Sequence, residues 1–170
     1  MRQSKSLSHE GIFGEAEDDY FGYSVDISSD GKTLAIGAPG GNEGYVRVYH
    51  LESNGLTSSW TQIGQDIIGE ADGDEFGYSI SLSNDGKSLA VGAQSNDGNG
   101  VDSGHVRVYR MDDSSTSWTQ VGEDIDGEAS GDNSGYAVSL SADGTTVAIG
   151  ATGNDDNEFS SGHVRIFSVK

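Results

Sequence analysis

The chain has 170 residues, 33% of them hydrophobic, which suits one domain whose core is divided among small repeating units. Its 28 acidic and 9 basic residues give a formal net charge of −19, and this surface repels phosphate backbones, so a nucleic-acid partner is disfavoured. The absence of cysteine excludes disulfides, thiolate nucleophiles and cysteine-bound zinc, and no apolar run approaches the roughly 18 residues of a membrane span.

In chain order, the first predicted element is a degenerate outer strand within residues 1–13. The register of the later repeats places residues 5–13 opposite residues 60–68, and the same strand is clearer at residues 118–122. We therefore interpret the N-terminal segment as a strand that closes a blade.

The next elements are four short strands, seen best in the middle of the chain. Residues 78–82 alternate large apolar side chains with serine, a period of two that is typical of a strand, here called strand A. The Asn-Asp-Gly of residues 84–86 predicts a hairpin turn into strand B at residues 89–93. Polar loops then lead to strand C at residues 104–109 and to strand D at residues 118–122. No segment carries a helical apolar stripe, so we predict essentially no helix.

Three copies of this pattern organise the chain. They begin at Gly22, Gly77 and Gly135, so the copies are offset by 55 and 58 residues. A meander with apolar or small residues on both faces needs neighbours on both sides, and radial stacking provides them. The sequence therefore predicts an all-β fold, a β-propeller of three four-stranded antiparallel blades with strand A at the axis. The blades are predicted at approximately residues 14–68, 69–126 and 127–170.

Three blades form an open wedge, because propellers typically close at about four to eight blades. The last blade ends at strand C, so its Val164, Ile166 and Phe167 lack a following strand D. One explanation is a head-to-tail homodimer of six blades, in which residues 1–13 of one chain complete the last blade of the other. The other explanation is that further repeats of a longer array close the ring. The sequence leaves both open.

A known motif stands at the start of strand A and the end of strand B. It reads Phe21-Gly22-Tyr23-Ser24-Val25 followed by Ile36-Gly37-Ala38-Pro39, and again Phe76-Gly77-Tyr78-Ser79-Ile80 followed by Val91-Gly92-Ala93. On these residues the chain resembles the FG-GAP repeat family, the blades of integrin-α-type propellers, over nearly its whole length. Its Asp-Gly-Lys-Thr-Leu-Ala and Gly-Tyr-Val-Arg-Val-Tyr segments are also similar to WD-type blades. The resemblance implies an adhesion or ligand-binding module, located outside the cell or at its surface.

The resemblance does not extend to the family's calcium turn. Members that bind calcium carry Asp-x-Asn-x-Asp-Gly between strands A and B, because calcium prefers six to eight oxygen ligands. The turns of this chain keep one carboxylate each, so the family's calcium site is not carried over. These turns are Ser28-Ser29-Asp30-Gly31, Ser83-Asn84-Asp85-Gly86 and Ser141-Ala142-Asp143-Gly144.

An acidic loop face is the predicted contact surface. The loops that lead into strand A and those that join B to C lie on one face, because strands A and C run in the same direction. We expect this face to bind a basic protein or a glycan, and the long B-to-C loops, rich in Asn and Gly, also favour calcium. The plain alternative is that these carboxylates only keep the turns solvated. The candidate contact residues are Asp72, Asp74, Glu75, Asp97, Asp102, Asp132, Asp155 and Asp156, and the calcium candidates among them are Asp97, Asp102, Asp155 and Asp156.

Side chains that recur at a fixed position in the blades are interpreted as structural. We expect the tryptophans of strand D to be packed rim aromatics, the arginines of strand C to be inter-blade hydrogen-bond or ion-pair donors, and the histidines of strand C to have satisfied nitrogens. Asp26 stands where the sister blades have serine, and it is the one carboxylate on an inner strand that an active site could use. The recurring residues are Trp60, Trp118, Arg47, Arg107, Arg165, His105 and His163.

The sequence carries no catalytic motif. It lacks a Gly-x-Ser-x-Gly elbow, a His-Glu-x-x-His pair, a phosphate-binding Gly-rich loop and a cysteine nucleophile, so we predict that the chain is not an enzyme. The favoured function is a binding or adhesion module that contacts a protein or glycan through the acidic loop face. The alternative is a structural half-propeller whose act is self-association, and an enzyme comes a distant third.

Overall fold

The computed structural model describes residues 11–55, 57–112 and 117–170, so most of the strand predicted at residues 5–13 lies outside the described residues. The described residues form thirteen strands in three antiparallel sheets without a helix, and this part of the chain offers no membrane-spanning helix. The first sheet contains β1 (Ser24–Ile27), β2 (Thr33–Ala38), β3 (Tyr45–Ser53), β4 (Ser58–Gln62) and β5 (Ile67–Ile68). The second contains β6 (Ser79–Leu82), β7 (Ser88–Ala93), β8 (His105–Met111), β9 (Trp118–Gln120) and β10 (Ile125–Asp126). The third contains β11 (Ser134–Leu140), β12 (Thr146–Ala151) and β13 (His163–Ser168).

Each sheet, together with the loop that leads into it, is a blade of a β-propeller, numbered blade 1 to blade 3 in chain order. The strands of a blade pair in sequence order from the inside outward, as in β1-β2-β3-β4. The predicted all-β propeller of three blades is confirmed. Blade 3 stops at β13, and no described residue pairs with the outer edge of that strand.

The outer strand D differs from the prediction because it is split in two. In blade 1, β4 pairs with one end of β3 and β5 with the other. Between them Ile63 donates its backbone N–H to Val48 at 2.8 Å, and Gly64 turns the chain with a φ of 77°. Gly122 does the same in blade 2, also with a φ of 77°. A glycine with positive φ inside a strand makes a bulge, so strand D of blade 2 ends at Gln120 instead of Gly122, and a second segment at Ile125–Asp126 follows that was not predicted.

The hairpin turn between the first two strands of a blade is held by a serine and an aspartate. In blade 2, Ser83 donates its hydroxyl to Asp85 at 2.6 Å and accepts the backbone N–H of Ser88 at 3.0 Å. Gly86 completes the turn with a φ of 69°. Blades 1 and 3 repeat these bonds, so the one carboxylate of each turn is used to close it.

The core consists of two layers, one between each pair of neighbouring blades. In each layer the smaller residues of one blade face the larger residues of the next, which is the radial packing that the alternation predicts. Between blades 1 and 2, Ala35, Val46 and Val48 lie in one cluster with Leu82, Leu89 and Val91. Between blades 2 and 3, Ala90, Val106 and Val108 lie in one cluster with Leu140, Val147 and Ile149.

The glycine before or at the start of the innermost strand of one blade lies against the Gly-Ala segment of the preceding blade. A Cβ atom on Gly92, in blade 2, would lie 2.2 Å from the backbone oxygen of Gly135, in blade 3. That same oxygen accepts a hydrogen bond from the hydroxyl of Ser79 at 2.7 Å. Blades 1 and 2 repeat the contact through Gly37 and Gly77. The glycines of the motif therefore allow one blade to touch the backbone of the next.

Tyrosines mark the inner edge of the propeller. The rings of Tyr23 and Tyr78 are 5.0 Å apart between centroids, and those of Tyr78 and Tyr136 are 5.4 Å apart. Hydrogen bonding to Tyr23, followed by burial and hydrogen bonding to Tyr136, raises the pKa of Tyr78 above its ordinary value of 10.0. The start of the innermost strand thus brings the three blades together along the axis.

Candidate functional site

The two loop classes of the acidic face lie together, as predicted. Backbone N–H groups of Gly40 and Gly153, in loops that join the second strand to the third, donate to the backbone oxygens of Asp19 and Asp132, in loops that lead into a blade. Neighbouring blades are joined on this face too, because Gly131 donates its N–H to Val101 at 2.8 Å. The face is therefore one continuous surface across the blades.

Two of the predicted contact carboxylates are buried beneath this surface. Asp74 accepts a hydrogen bond from the side-chain amide of Asn96 at 2.7 Å. Asp132 accepts from Asn154 at 3.3 Å and from the backbone N–H groups of Glu128 and Ala129. Both carboxylates stabilise the loops through these hydrogen bonds, and neither is exposed enough to contact a partner.

The other predicted contact residues lie at or near the surface. Glu75 is half-buried and accepts a hydrogen bond from the side chain of Gln94 at 2.6 Å. The exposed members of the predicted set are Asp72, Asp97, Asp102, Asp155 and Asp156.

The four calcium candidates do not form one cluster. Asp97 accepts the backbone N–H of Asp102 at 2.9 Å within one loop, and Asp155 accepts the N–H of Ser160 in the corresponding loop of blade 3. Among the described residues, groups of three metal-ligand atoms within 4.8 Å of one another occur at Glu70, His105 and Asp124 and at Glu128, Asp156 and His163. Asp156 is the one calcium candidate in either group, and calcium binding stays a prediction.

An arginine of the third strand anchors the split outer strand of its own blade. Arg107 donates from Nε to Asp124 at 2.9 Å and from Nη2 to the same carboxylate at 2.7 Å, and it also pairs with Glu70. Gln120 donates to Asp124 at 2.7 Å. The hydrogen bond from Arg107 lowers the pKa of Asp124.

Blade 1 repeats this arrangement with Arg47, Asp66, Gln62 and Glu15. Arg47 therefore also pairs with the outer strand and the leading loop of its own blade. The prediction that these arginines are ion-pair donors is confirmed, but for Arg47 and Arg107 the predicted inter-blade position is wrong.

The histidine beside this arginine has no hydrogen-bond partner. His105 is 1% exposed, and neither ring nitrogen forms a hydrogen bond, which contradicts the prediction of satisfied nitrogens. In blade 3, Nε2 of His163 is likewise buried and unpartnered. Burial and the nearby Arg107 cation lower the pKa of His105, which favours the neutral imidazole. Glu70 and Asp124 both pair with Arg107, so the group of Glu70, His105 and Asp124 is part of an ion-pair network.

Asp26 and Trp118 also join neighbouring blades. Asp26 accepts the backbone N–H of Leu82 at 2.6 Å, and Ser81 accepts the N–H of Leu140 at 3.0 Å at the corresponding place. Asp26 thus makes the same inter-blade bond as the serine of a sister blade. Trp118 is packed in the core between blades 1 and 2, as predicted for a structural aromatic, and Trp60 is half-buried.

Two apolar side chains project from the acidic face and were missed by the sequence analysis. Val101 is 65% exposed and Phe159 is 89% exposed. They occupy corresponding positions in the long loops of blades 2 and 3, 58 residues apart. That repeated apolar residue in an otherwise polar loop is the signal that could have found them.

The free face of blade 3 is apolar. Val164 and Ile166 are 68% and 71% exposed, whereas the corresponding valines of blades 1 and 2 are at most 3% exposed. At the other end of the chain, Val25 and Ile27 are also exposed, on the face of blade 1 that has no neighbour among the described residues.

The comparisons with known proteins identify the repeats. The FG-GAP repeat family matches residues 14–49, 69–109 and 124–167, which is more than half of the chain. No curated protein matches. Among solved structures, the chain is similar to the hydrazine synthase of Kuenenia stuttgartiensis, with 13% identity, a TM-score of 0.47, and coverage of 85% of this chain and 44% of that chain. The chain thus spans less than half the length of that structure. By the three repeat matches and the three blades that they form, the chain belongs to the FG-GAP repeat family and is a β-propeller module of the binding type.

Proposed function

We propose that this chain is a non-enzymatic binding module that works as part of a closed propeller, which it completes by joining its open ends to those of a second copy. The observation that carries the proposal is the free face of blade 3. Its Val164 and Ile166 are exposed at the positions that blades 1 and 2 bury against the next blade. Large exposed apolar patches on a monomer mark interaction sites.

The second copy is the proposed occupant because one chain carries both halves of an inter-blade interface. Blade 3 ends in the small-residue half, with Ala148, Val164 and Ile166, and blade 1 begins with the large-residue half, with Val25 and Ile27. Between blades 1 and 2 and between blades 2 and 3, these same halves meet. Two copies joined head to tail at both ends give six blades, which is within the usual range for propellers.

Thermal unfolding at several protein concentrations tests this assembly. An oligomer gains stability with concentration, so the melting temperature of the wild-type chain should rise as the protein is concentrated. Ile166→Glu places a charge in the proposed interface and should remove this dependence, whereas Ser58→Glu, on an exposed strand, should keep it. A melting temperature of the wild type that does not change with concentration would argue against the dimer.

The acidic loop face is the surface that we propose for a partner outside the propeller. Its exposed carboxylates, with the apolar tips Val101 and Phe159 among them, suit a basic protein segment that also offers apolar side chains. A glycan is the competing ligand. The adhesion role and the extracellular setting rest on the family resemblance and stay predictions.

Binding of an oligolysine peptide tests this surface, with a glycan array as the second arm. We expect affinity for the peptide to fall as salt is added, because salt screens exposed charges over about 8 to 10 Å. The double variant Val101→Ser with Phe159→Ser should weaken binding of a peptide that mixes lysine and leucine more than that of oligolysine. Glycan binding with no affinity for basic peptides would replace this partner.

A further inference from the structure

We propose that the open outer edge of β13 takes a β-strand that carries an aspartate to Arg165, in the way that Asp66 and Asp124 are carried to Arg47 and Arg107. This inference rests on the proposed closure of the propeller and specifies the chemistry of the strand that completes blade 3. The class of partner is an extended segment of the type Gln-x-Gly-x-Asp-Ile, which this chain itself contains at residues 62–67 and 120–125.

Arg165 lacks the aspartate partner that its two counterparts have. Nε of Arg47 and Nε of Arg107 each donate to an aspartate of the outer strand at 2.9 Å. Nε of Arg165 is buried and has no hydrogen-bond partner. An unpaired buried donor is costly, because it has lost its hydrogen bonds to water without replacement.

Arg165 makes other contacts, and none of them involves an aspartate carboxylate. Its Nη2 donates to the backbone oxygen of Asp126 and to the hydroxyl of Ser134, the latter at 3.3 Å, and Glu128 lies 3.9 Å from Nη1. The side chain is 21% exposed, whereas those of Arg47 and Arg107 are 9% exposed. Nε of Arg165 thus remains without a partner, and Nε is the atom that donates to the outer-strand aspartate in the other two blades.

The backbone of β13 offers a free hydrogen-bond acceptor at its outer edge. In blades 1 and 2 the carbonyls of Val48 and Val108 each accept an N–H from the outer segment at 2.8 Å. Ile166 occupies the same register, since it pairs with Ala148 as Val48 pairs with Ala35. Its carbonyl therefore lies at the free edge, where an added strand would find an acceptor.

The Gln-x-Gly-x-Asp-Ile motif has the glycine for the bulge and the aspartate for the arginine of the third strand. Gly64 and Gly122, each with a φ of 77°, make the bulge that separates the two segments of the outer strand. Gln62 and Gln120 then hold the aspartate four residues later at 2.7 Å. A strand without the aspartate could pair with the backbone of β13 but would leave Nε of Arg165 unpaired.

This requirement bears on the N-terminal segment of a second copy. In the register that sets residues 5–13 against residues 60–68, Gly11 stands where Asp66 stands, and Leu7 stands where Gln62 stands. The segment predicted to close the last blade thus lacks both motif side chains. We infer that a strand with the aspartate binds this edge more tightly than residues 5–13 do.

Peptide binding to the full chain tests the inference. The probe is a fluorescent peptide of residues 117–126, Ser-Trp-Thr-Gln-Val-Gly-Glu-Asp-Ile-Asp, and its matched control has Asp124→Asn. We expect the control to bind about tenfold more weakly, because a hydrogen-bonded charge pair contributes about 1.5 kcal/mol or more and about 1.4 kcal/mol corresponds to tenfold. A peptide of residues 5–13 should also bind more weakly than the probe.

The Arg165→Gln variant of the chain completes a double-mutant cycle. It should bind the probe and the Asp124→Asn peptide with equal affinity, because the charge that distinguishes them is gone. Equal binding of the two peptides to the wild-type chain, or absence of binding, would overturn the inference. The mass of the same samples separates this inference from the proposed function. If the chain is a dimer but binds the two peptides equally, the closed propeller is supported and the Arg165 site is rejected.

Discussion

At the scale of single residues, the glycines of the repeat motif determine how closely two blades approach. Gly92→Ala would place a methyl group 2.2 Å from the backbone oxygen of Gly135. Backbone cannot move aside cheaply, so we expect the free energy of unfolding to fall by about 2 to 3 kcal/mol in urea denaturation.

Gly150→Ala is the matched control for this substitution. Gly150 is the corresponding glycine of blade 3, and the nearest atoms to an added Cβ lie 3.7 Å away. The folded chain should tolerate the change, while closure against another blade should be weakened. Equal losses in unfolding free energy for the two variants would contradict the close contact between blades 2 and 3.

The ion pair of Arg107 and Asp124 gives a pH dependence of known sign. The arginine lowers the pKa of Asp124 below its ordinary 3.8, so the pair stabilises the folded chain above pH 3.8 and loses this effect as the pH falls through the lower folded pKa. Asp124→Asn should reduce the free energy of unfolding by about 2 kcal/mol at neutral pH, and the difference from the wild type should shrink in acid. Glu123→Gln, at the exposed neighbouring position, should change little. Urea denaturation across the acidic range checks both variants.

At the scale of the element, the serine and aspartate of the hairpin turn act as a unit. Hydrogen bonds lower the pKa of Asp143 to about 2, and the bond from Ser141 has a larger effect than the bond from Thr145. We expect carboxyl NMR titration to show this value in the wild type and a pKa closer to 3.8 in Ser141→Ala. An Asp143 pKa that Ser141→Ala does not change would mean that the turn is held in another way.

The elements also show which parts of the fold can be read from the sequence. Alternation in residues 78–82 and the Asn-Asp-Gly turn depend on local order alone, so strands and hairpins were predicted correctly. The split of strand D depends on the φ of Gly64, and a lone glycine in a strand pattern does not reveal its φ.

The candidate contact face was harder to predict for a similar reason. Asp74 is buried and accepts a hydrogen bond from Asn96, and that partner is 22 residues away in sequence. Loop composition therefore located the acidic face but could not separate its structural carboxylates from the exposed ones. Val101 and Phe159 were missed because each is a single apolar residue in a polar loop and belongs to no apolar pattern.

At the scale of the whole molecule, the same repeated interface explains both the core and the exposed ends. Blade 2 is covered on both faces, whereas blade 1 and blade 3 each keep one face with exposed apolar side chains. A closed ring would cover these faces and continue the row of tyrosines from Tyr136 to Tyr23 of a second copy. The acidic loop face would then form a ring at one end of the propeller.

The mass of the chain in solution tests this central claim most directly. Sedimentation equilibrium of the wild-type chain should give twice 17.8 kDa, and Ile166→Glu should shift the mass toward 17.8 kDa while circular dichroism still shows a folded β protein. A folded wild-type chain that stays at 17.8 kDa over the micromolar range would contradict closure by a second copy.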